Sequence, residues 1–340
     1  MSVMVERGFA MEDPLIVNPR KFFRMDKKLV MVFFMVAITW LINFLGVNQY
    51  ALLSFFFLPV LFGSYFFGKT HGTFSAVLAV LMVYSLAHYV PGSFATFGES
   101  VFFDRWASLL IWGGVLVVTG YTTGLLYDKK EDTITELDTT YRGVITMLSI
   151  VIDSVDRYTH SHSYRVSVYS EKMGNAMGLP KGVVEELRIA ALLHDLGKIG
   201  VSEHVLNKAG RLEEGERREM AGHPDAGARI LAPVGPRVLR ILPLILHHHE
   251  RYDGKGYNAM LGRTVPVGAR IIAVADVYDA LTTDRPYRRA LTPEEGLAEI
   301  SRGSGTHFDP EVVEAFVKVF NEFIVKGPDL TSPMERLYMA

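Results

Sequence analysis

Residues 185–195 read Glu185-Glu186-Leu187-Arg188-Ile189-Ala190-Ala191-Leu192-Leu193-His194-Asp195. The first nine are good helix formers with one apolar face, and the helix they predict runs straight into an imidazole and a carboxylate. Gly197 and Gly200 then loosen the chain. Neighbouring residues on a helix point about 100° apart. A metal could take both His194 and Asp195 at a helix end, or Asp195 could bridge two metals with its two oxygens. Lys198 follows one turn later, where a cation can hold a phosphate oxygen.

Working outward, the same chemistry recurs. His162 lies in Ser161-His162-Ser163-Tyr164-Arg165-Val166, on an earlier predicted helix. His223 opens another helix, with Pro224 in its first turn. His247-His248-His249-Glu250 ends the apolar run Ile241-Leu242-Pro243-Leu244-Ile245-Leu246, and Asp276 closes the run Ile271-Ile272-Ala273-Val274-Ala275. Nine of the 11 histidines fall after residue 150, and the chain has no cysteine. Neutral imidazoles with carboxylates are the ligands of a hydrolytic metal centre and argue against a structural zinc site. Taken singly, each histidine reads as a hydrogen-bonded core residue. Taken together on buried helix ends, they read as ligands converging inside a bundle.

These residues, in this order, resemble the HD-GYP family of the HD phosphohydrolase superfamily. The resemblance covers roughly 148–320. It rests on His194-Asp195-Leu196-Gly197-Lys198, on His248-His249-Glu250-Arg251-Tyr252-Asp253-Gly254-Lys255-Gly256-Tyr257, on Asp284-Arg285-Pro286-Tyr287-Arg288 and on Gly305-Thr306-His307-Phe308-Asp309-Pro310. It implies an all-α helical-bundle domain that hydrolyses cyclic di-GMP to linear pGpG, with onward cleavage to GMP left open. It implies His162, His194, Asp195, His223, His248, His249 and Asp276 as metal ligands, with Asp195 and Lys198 as the catalytic pair. Asp156, Lys198, Tyr257, Arg285 and Arg288 fall where the family contacts substrate; Arg285 alternatively pairs with Asp284 or Asp279. Some members carry a glutamate four residues before the first ligand, supporting a third metal. That position is Tyr158 here, so two divalent ions, iron or manganese, and a hydroxide bridging them are expected. One departure stands out: the third residue of the Gly-Tyr-Pro signature is Asn258, which adds freedom and a backbone donor where proline would stiffen the loop. His247 falls outside the ligand pattern, and His160 has no assigned role. Two other functions stay open on the residues alone: hydrolysis of a different nucleotide, and non-catalytic binding of the messenger.

The N-terminal half is a different material. Net charge is −2 and hydrophobic content 49% over the whole chain, but 29–127 holds only Lys69, Glu99, Asp104 and Arg105 as charged residues. Four apolar spans are predicted there, at 29–47, 51–67, 73–90 and 107–127, each close to the roughly 20 residues that cross a bilayer core. Pro59 predicts a kink in the second; Gly113-Gly114, Gly120 and Gly124 predict close approach of the fourth to its neighbours. Arg20, Lys21, Arg24, Lys27 and Lys28 before the first span, Lys69, and Lys129-Lys130 after the fourth put both ends in the cytoplasm of an inner-membrane protein.

Between the halves, Ile134, Leu137, Tyr141, Val144, Leu148 and Val151 step by threes and fours. That is either a heptad seam pairing two copies in parallel or the apolar face of one helix packing on the next domain. The expected organisation is therefore a cytoplasmic segment (1–28), a membrane domain (29–127), a helical linker (128–152), a phosphohydrolase domain (153–326) and a tail (327–340). Expected partners are cyclic di-GMP, the membrane and a second copy, with a diguanylate cyclase or an effector protein as the kind of protein partner such an enzyme serves. No nucleic acid polymer is implied.

Overall fold

The computed structural model describes residues 27–45, 49–90, 94, 101–155, 161–208, 210–284 and 289–323. Every regular element among them is helical; Ser304 and Phe308 form an isolated bridge. The chain divides into two compact units, Met1–Asp138 and Thr139–Ala340.

The first unit is built from α1 (Lys27–Leu45), two short turns (Gln49–Leu52 and Leu53–Phe56), α2 (Phe57–Tyr89) and the first part of α3 (Val101–Val155). Two stretches among the described residues, Gln49–Tyr89 and Arg105–Ser154, are long and apolar enough to cross a membrane; Val32–Leu45 is a shorter apolar helix. The expected second and third spans therefore fall in one continuous element. A single residue divides it. Gly68 sits inside α2 at φ 76° and ψ −169°, a left-handed conformation that favours glycine. Beyond it the chain doubles back: a Cβ added at Gly72 would lie 2.9 Å from the Cα of Ser64. Along an uninterrupted helix those residues would be about 12 Å apart. Asp128 of α3 closes the reversal, its carboxylate accepting the backbone N–H of Lys69 at 3.3 Å.

Small residues permit this packing. A Cβ at Gly120 would stand 2.8 Å from the Gly72 carbonyl oxygen, and one at Gly124 would stand 2.4 Å from the Lys69 Cα. Gly114, in contrast, faces open space. Pro59 does not kink the element. It lies in the first turn of α2, where a missing N–H costs little, and the chain before it tightens into the 3-10 turn Leu53–Phe56. Met35, Ile42, Phe56, Val60, Ala79 and Leu116 form the buried core of this unit, while Phe33, Trp40, Phe44, Leu58, Leu110 and Leu126 are each more than half exposed.

The second unit is a helical bundle: the end of α3, then α4 (His162–Ala176), α5 (Lys181–Leu193), α6 (Glu214–Ala221), α7 (His223–Leu231), α8 (Leu242–Leu246), α9 (Val267–Thr282), α10 (Pro293–Arg302) and α11 (Pro310–Phe323). Helix α9 is buried along Ile271, Ile272, Ala273, Val274 and Ala275, as its apolar run requires. Leu187, Leu193, Ile245, Val274, Tyr278 and Phe316 lie at the centre of the core.

The end of α3 packs on this bundle through Ile145, Ser149 and Ile152, with Arg142 bonded to Glu185 at 2.6 Å. The sequence seam thus splits. Tyr141 and Leu148 lean partly buried against the bundle, while Ile134, Leu137, Val144 and Val151 are exposed. At the last turn, Asp153 accepts the hydroxyl of Ser163 at 2.6 Å and its backbone N–H at 3.3 Å.

Candidate metal centre

Helix α5 delivers His194 as its C-terminal cap, and Asp195 turns the chain into the 3-10 segment Leu196–Gly200. Gly197 then lies flat against the start of α7: a Cβ there would be 1.8 Å from the His223 carbonyl oxygen and 2.5 Å from the Gly227 nitrogen. That close approach sets His223 beside Asp195. His248 and His249 follow α8 in a turn, His162 opens α4 after the left-handed Ser161 (φ 61°), and Asp276 sits late on α9.

Three of the imidazoles share one arrangement. The Nδ1 atoms of His194, His223 and His248 lie 2.7, 2.7 and 2.6 Å from the carbonyl oxygens of Ala191, Met220 and Ile245, each three residues earlier. A carbonyl only accepts, so Nδ1 carries the proton and Nε2 is left with its lone pair. Those Nε2 atoms converge. His194 and His223 reach 3.4 and 3.3 Å from the Asp195 carboxylate, and the Nε2 atoms of His223 and His248 stand 3.4 Å apart. His162 uses a carboxylate instead: its Nδ1 donates to Asp279 at 2.7 Å, and its Nε2 lies 3.4 Å from Asp276 and 3.8 Å from Asp195.

The arrangement fits a metal. The Nε2 of His194 is buried and makes no hydrogen bond among the described residues, and two imidazole lone pairs facing each other call for a cation between them. Two groups could hold an ion, Asp195 with His223, His248 and His249, and His162 with His194 and Asp195; both include Asp195.

Electrostatics agree with the geometry at His248, His249, Asp195 and Asp276, whereas Asp276 and Asp279 push His162 up to about 10 against its burial. Burial, together with the neighbouring imidazoles, holds His248 well below the usual histidine range, and burial pushes His249 down to about 4, so both are neutral at pH 7. Burial opposes ionisation of Asp195, but His194, Lys198 and His223 outweigh it and hold the carboxyl well below its usual range. Asp276 is likewise held low against its burial by His162.

Of the other residues expected at the site, Lys198 stands 2.6 Å from the Asp195 carboxylate, and the Tyr257 ring lies 4.9 Å from that of His249. Asp156, Arg285 and Arg288, with His160, lie outside the described residues. Among the described residues, His247 belongs to neither of the two groups.

Sequence reasoning missed two residues. Asp279, buried one turn beyond Asp276, orients His162 and is itself gripped by Arg165 through Nε at 2.5 Å and Nη2 at 2.8 Å. The spacing Asp276-Val277-Tyr278-Asp279, two carboxylates on one helix face, was the available signal. Asp279→Asn is expected to weaken metal binding about 10–100-fold while leaving the fold intact, since an amide cannot serve His162 and Arg165 as a carboxylate does. Metal titration with circular dichroism checks this; unchanged affinity would refute the role.

Residues 146–312, which hold the imidazole–carboxylate cluster, match the HD domain family model. Among curated proteins, the chain is similar to a cyclic di-GMP phosphodiesterase of Thermotoga maritima, at 38% identity over 58% of this chain and 54% of that one. It is also similar to one of Pseudomonas aeruginosa, at 40% identity over 51% of this chain and 42% of that one. A 3′3′-cGAMP-specific phosphodiesterase of Vibrio cholerae is 32% identical over 62% of this chain and 40% of its own. The matched region spans about half the length of these relatives.

Proposed function

We propose that this chain is a membrane-bound, metal-dependent phosphodiesterase that opens cyclic di-GMP to linear pGpG. The observation that carries this reading is the convergence of five imidazoles on Asp195, with Asp276 beside His162, in a region that matches the HD domain model and whose relatives include enzymes named for that substrate. Two ligand groups that share Asp195 favour a two-ion centre, and nitrogen and oxygen donors without sulfur favour iron or manganese. When bound, such ions supply Lewis acidity and lower the pKa of water.

The chain's own residues do the rest. The Nδ1 bonds fix the imidazoles, and Asp195 would hold both ions. Lys198 offers a cation to a phosphoryl oxygen, and Tyr257 offers a ring to a guanine. Arg285 and Arg288 would clamp the second phosphate or a base edge, and Asp156 would complete the substrate contacts.

We read the first unit as four membrane passes, with Gly68 as the turn between the second and third. Lys and Arg at the chain ends of this unit favour a cytoplasmic catalytic domain in an inner membrane. The exposed Ile134, Leu137, Val144 and Val151 favour pairing of α3 with a second copy. Because the chain has no cysteine, Val144→Cys is expected to give disulfide-linked dimers in membranes under mild oxidant. A monomer only would remove the pairing.

The deciding experiment uses the full chain in detergent, loaded separately with iron and manganese, against cyclic di-GMP, 3′3′-cGAMP and nucleoside phosphodiesters, with products separated by chromatography. Cyclic di-GMP should be consumed fastest, giving pGpG. A second substrate reading, cGAMP, is favoured by the relatives specific for it and by the altered loop at Asn258. No turnover of either cyclic dinucleotide by metal-loaded protein would overturn the proposal.

A further inference from the structure

Glu250 follows the two histidine ligands and is 3% exposed. Its carboxylate accepts the backbone N–H of Asn258 at 2.6 Å on Oε1 and that of Met260 at 3.0 Å on Oε2. Ala259, between the two donors, adopts a left-handed φ of 55°, which folds the chain so that both N–H groups meet one carboxylate. Gly256 makes the loop lie close: a Cβ there would be 2.6 Å from the Glu250 Cα and 2.7 Å from the Arg251 nitrogen. The stem is fixed separately. The N–H of Tyr252 donates to the His307 carbonyl at 3.1 Å, that of Asp253 to Thr306 at 2.8 Å, and that of Gly262 to Tyr252 at 2.9 Å. The tip is thus held by Glu250, and the tip carries Tyr257 beside His249.

The signature that this loop resembles has proline at position 258. Proline has no N–H to give and restrains the loop through its ring. Here Asn258 supplies a donor, and a buried carboxylate receives it in a charge-assisted bond.

We propose that in this chain the Asn258 N–H to Glu250 bond replaces the proline ring as the restraint that holds Tyr257 at the metal centre, making Glu250 a positioning residue for the base of the substrate. The role of Tyr257 in this proposal rests on the phosphodiesterase reading above; the restraint itself does not. Placing proline here should loosen this loop even though the ring fixes its own φ, because it takes one of the two donors from the buried Glu250 carboxylate, which the loop is folded around.

The test uses the full chain in detergent with metal bound. Lys255 is an exposed trypsin site on the loop, so cleavage after it, followed by mass spectrometry, reports loop opening without any activity. Asn258→Pro is expected to speed that cleavage at least about fivefold and to raise KM for the cyclic dinucleotide about tenfold, with metal content unchanged. Asn258→Ala keeps the N–H and should be cleaved at the wild-type rate. In a Glu250→Gln background, the added effect of Asn258→Pro on cleavage should shrink to less than about twofold, as expected of residues sharing one interaction. Wild-type cleavage of Asn258→Pro would overturn the proposal, and so would cleavage of Asn258→Ala as fast as Asn258→Pro. A wild-type protein that turns over no cyclic dinucleotide would remove the assigned substrate, while the cleavage rates still decide whether the N–H holds the loop.

Discussion

Asp195→Ala is expected to lower the proposed cyclic di-GMP hydrolysis at least about a thousandfold, equivalent to roughly 4 kcal/mol of barrier. The size follows from position. Asp195 is the one residue common to both ligand groups, and the Nε2 atoms of His194 and His223 lie within 3.4 Å of its carboxylate. Removing it takes a ligand from each group and leaves Lys198, 2.6 Å away, without that partner. Metal content should fall with activity, and circular dichroism should show the helices intact. His194→Ala should follow the same course. Turnover within a few-fold of wild type in either variant would refute the mechanism, whatever the substrate.

Gly197→Ala is expected to have the second largest effect, and for a reason unconnected with charge. A Cβ at this position would stand 1.8 Å from the His223 carbonyl oxygen, and both neighbours it meets are backbone. No side-chain rotation relieves that contact. Helix α7 must shift, carrying His223 out of the cluster, or the bundle must absorb about 3 kcal/mol of overpacking. Either way metal affinity drops sharply, and the unfolding temperature of the full chain in detergent falls. Gly200→Ala is the control: three residues on, its Cβ would be 4.0 Å from its nearest neighbour, an ordinary contact. Equal behaviour of the two variants would show that the close approach is unimportant.

Gly197 also shows where sequence reading stops. The His194-Asp195 pair was legible because a strong helix former run ends on it, and Asp276 because an apolar run ends on it. Local pattern sufficed for both. Gly197 read as a loosening of the chain; only α7, folded against it, reveals a contact that nothing larger can fill. For Asp279 the spacing from Asp276 marked a shared helix face, but its partner His162, 117 residues away, was not legible. Asn258 was visible as a departure and as an added donor, but its acceptor Glu250 was visible only as part of a motif. In the apolar half, hydropathy located the segments, while the reversal at Gly68 depends on a backbone angle that composition does not encode. The heptad seam carried a related ambiguity: its six positions divide between burial and exposure, so a one-dimensional pattern served two surfaces at once.

Helix α3 ends within the second unit, at Val155. Its last turn holds Asp153, whose carboxylate grips Ser163, the residue after His162. The placement of His162 therefore depends on where α3 ends as well as on α4 itself, through one hydrogen-bonded residue.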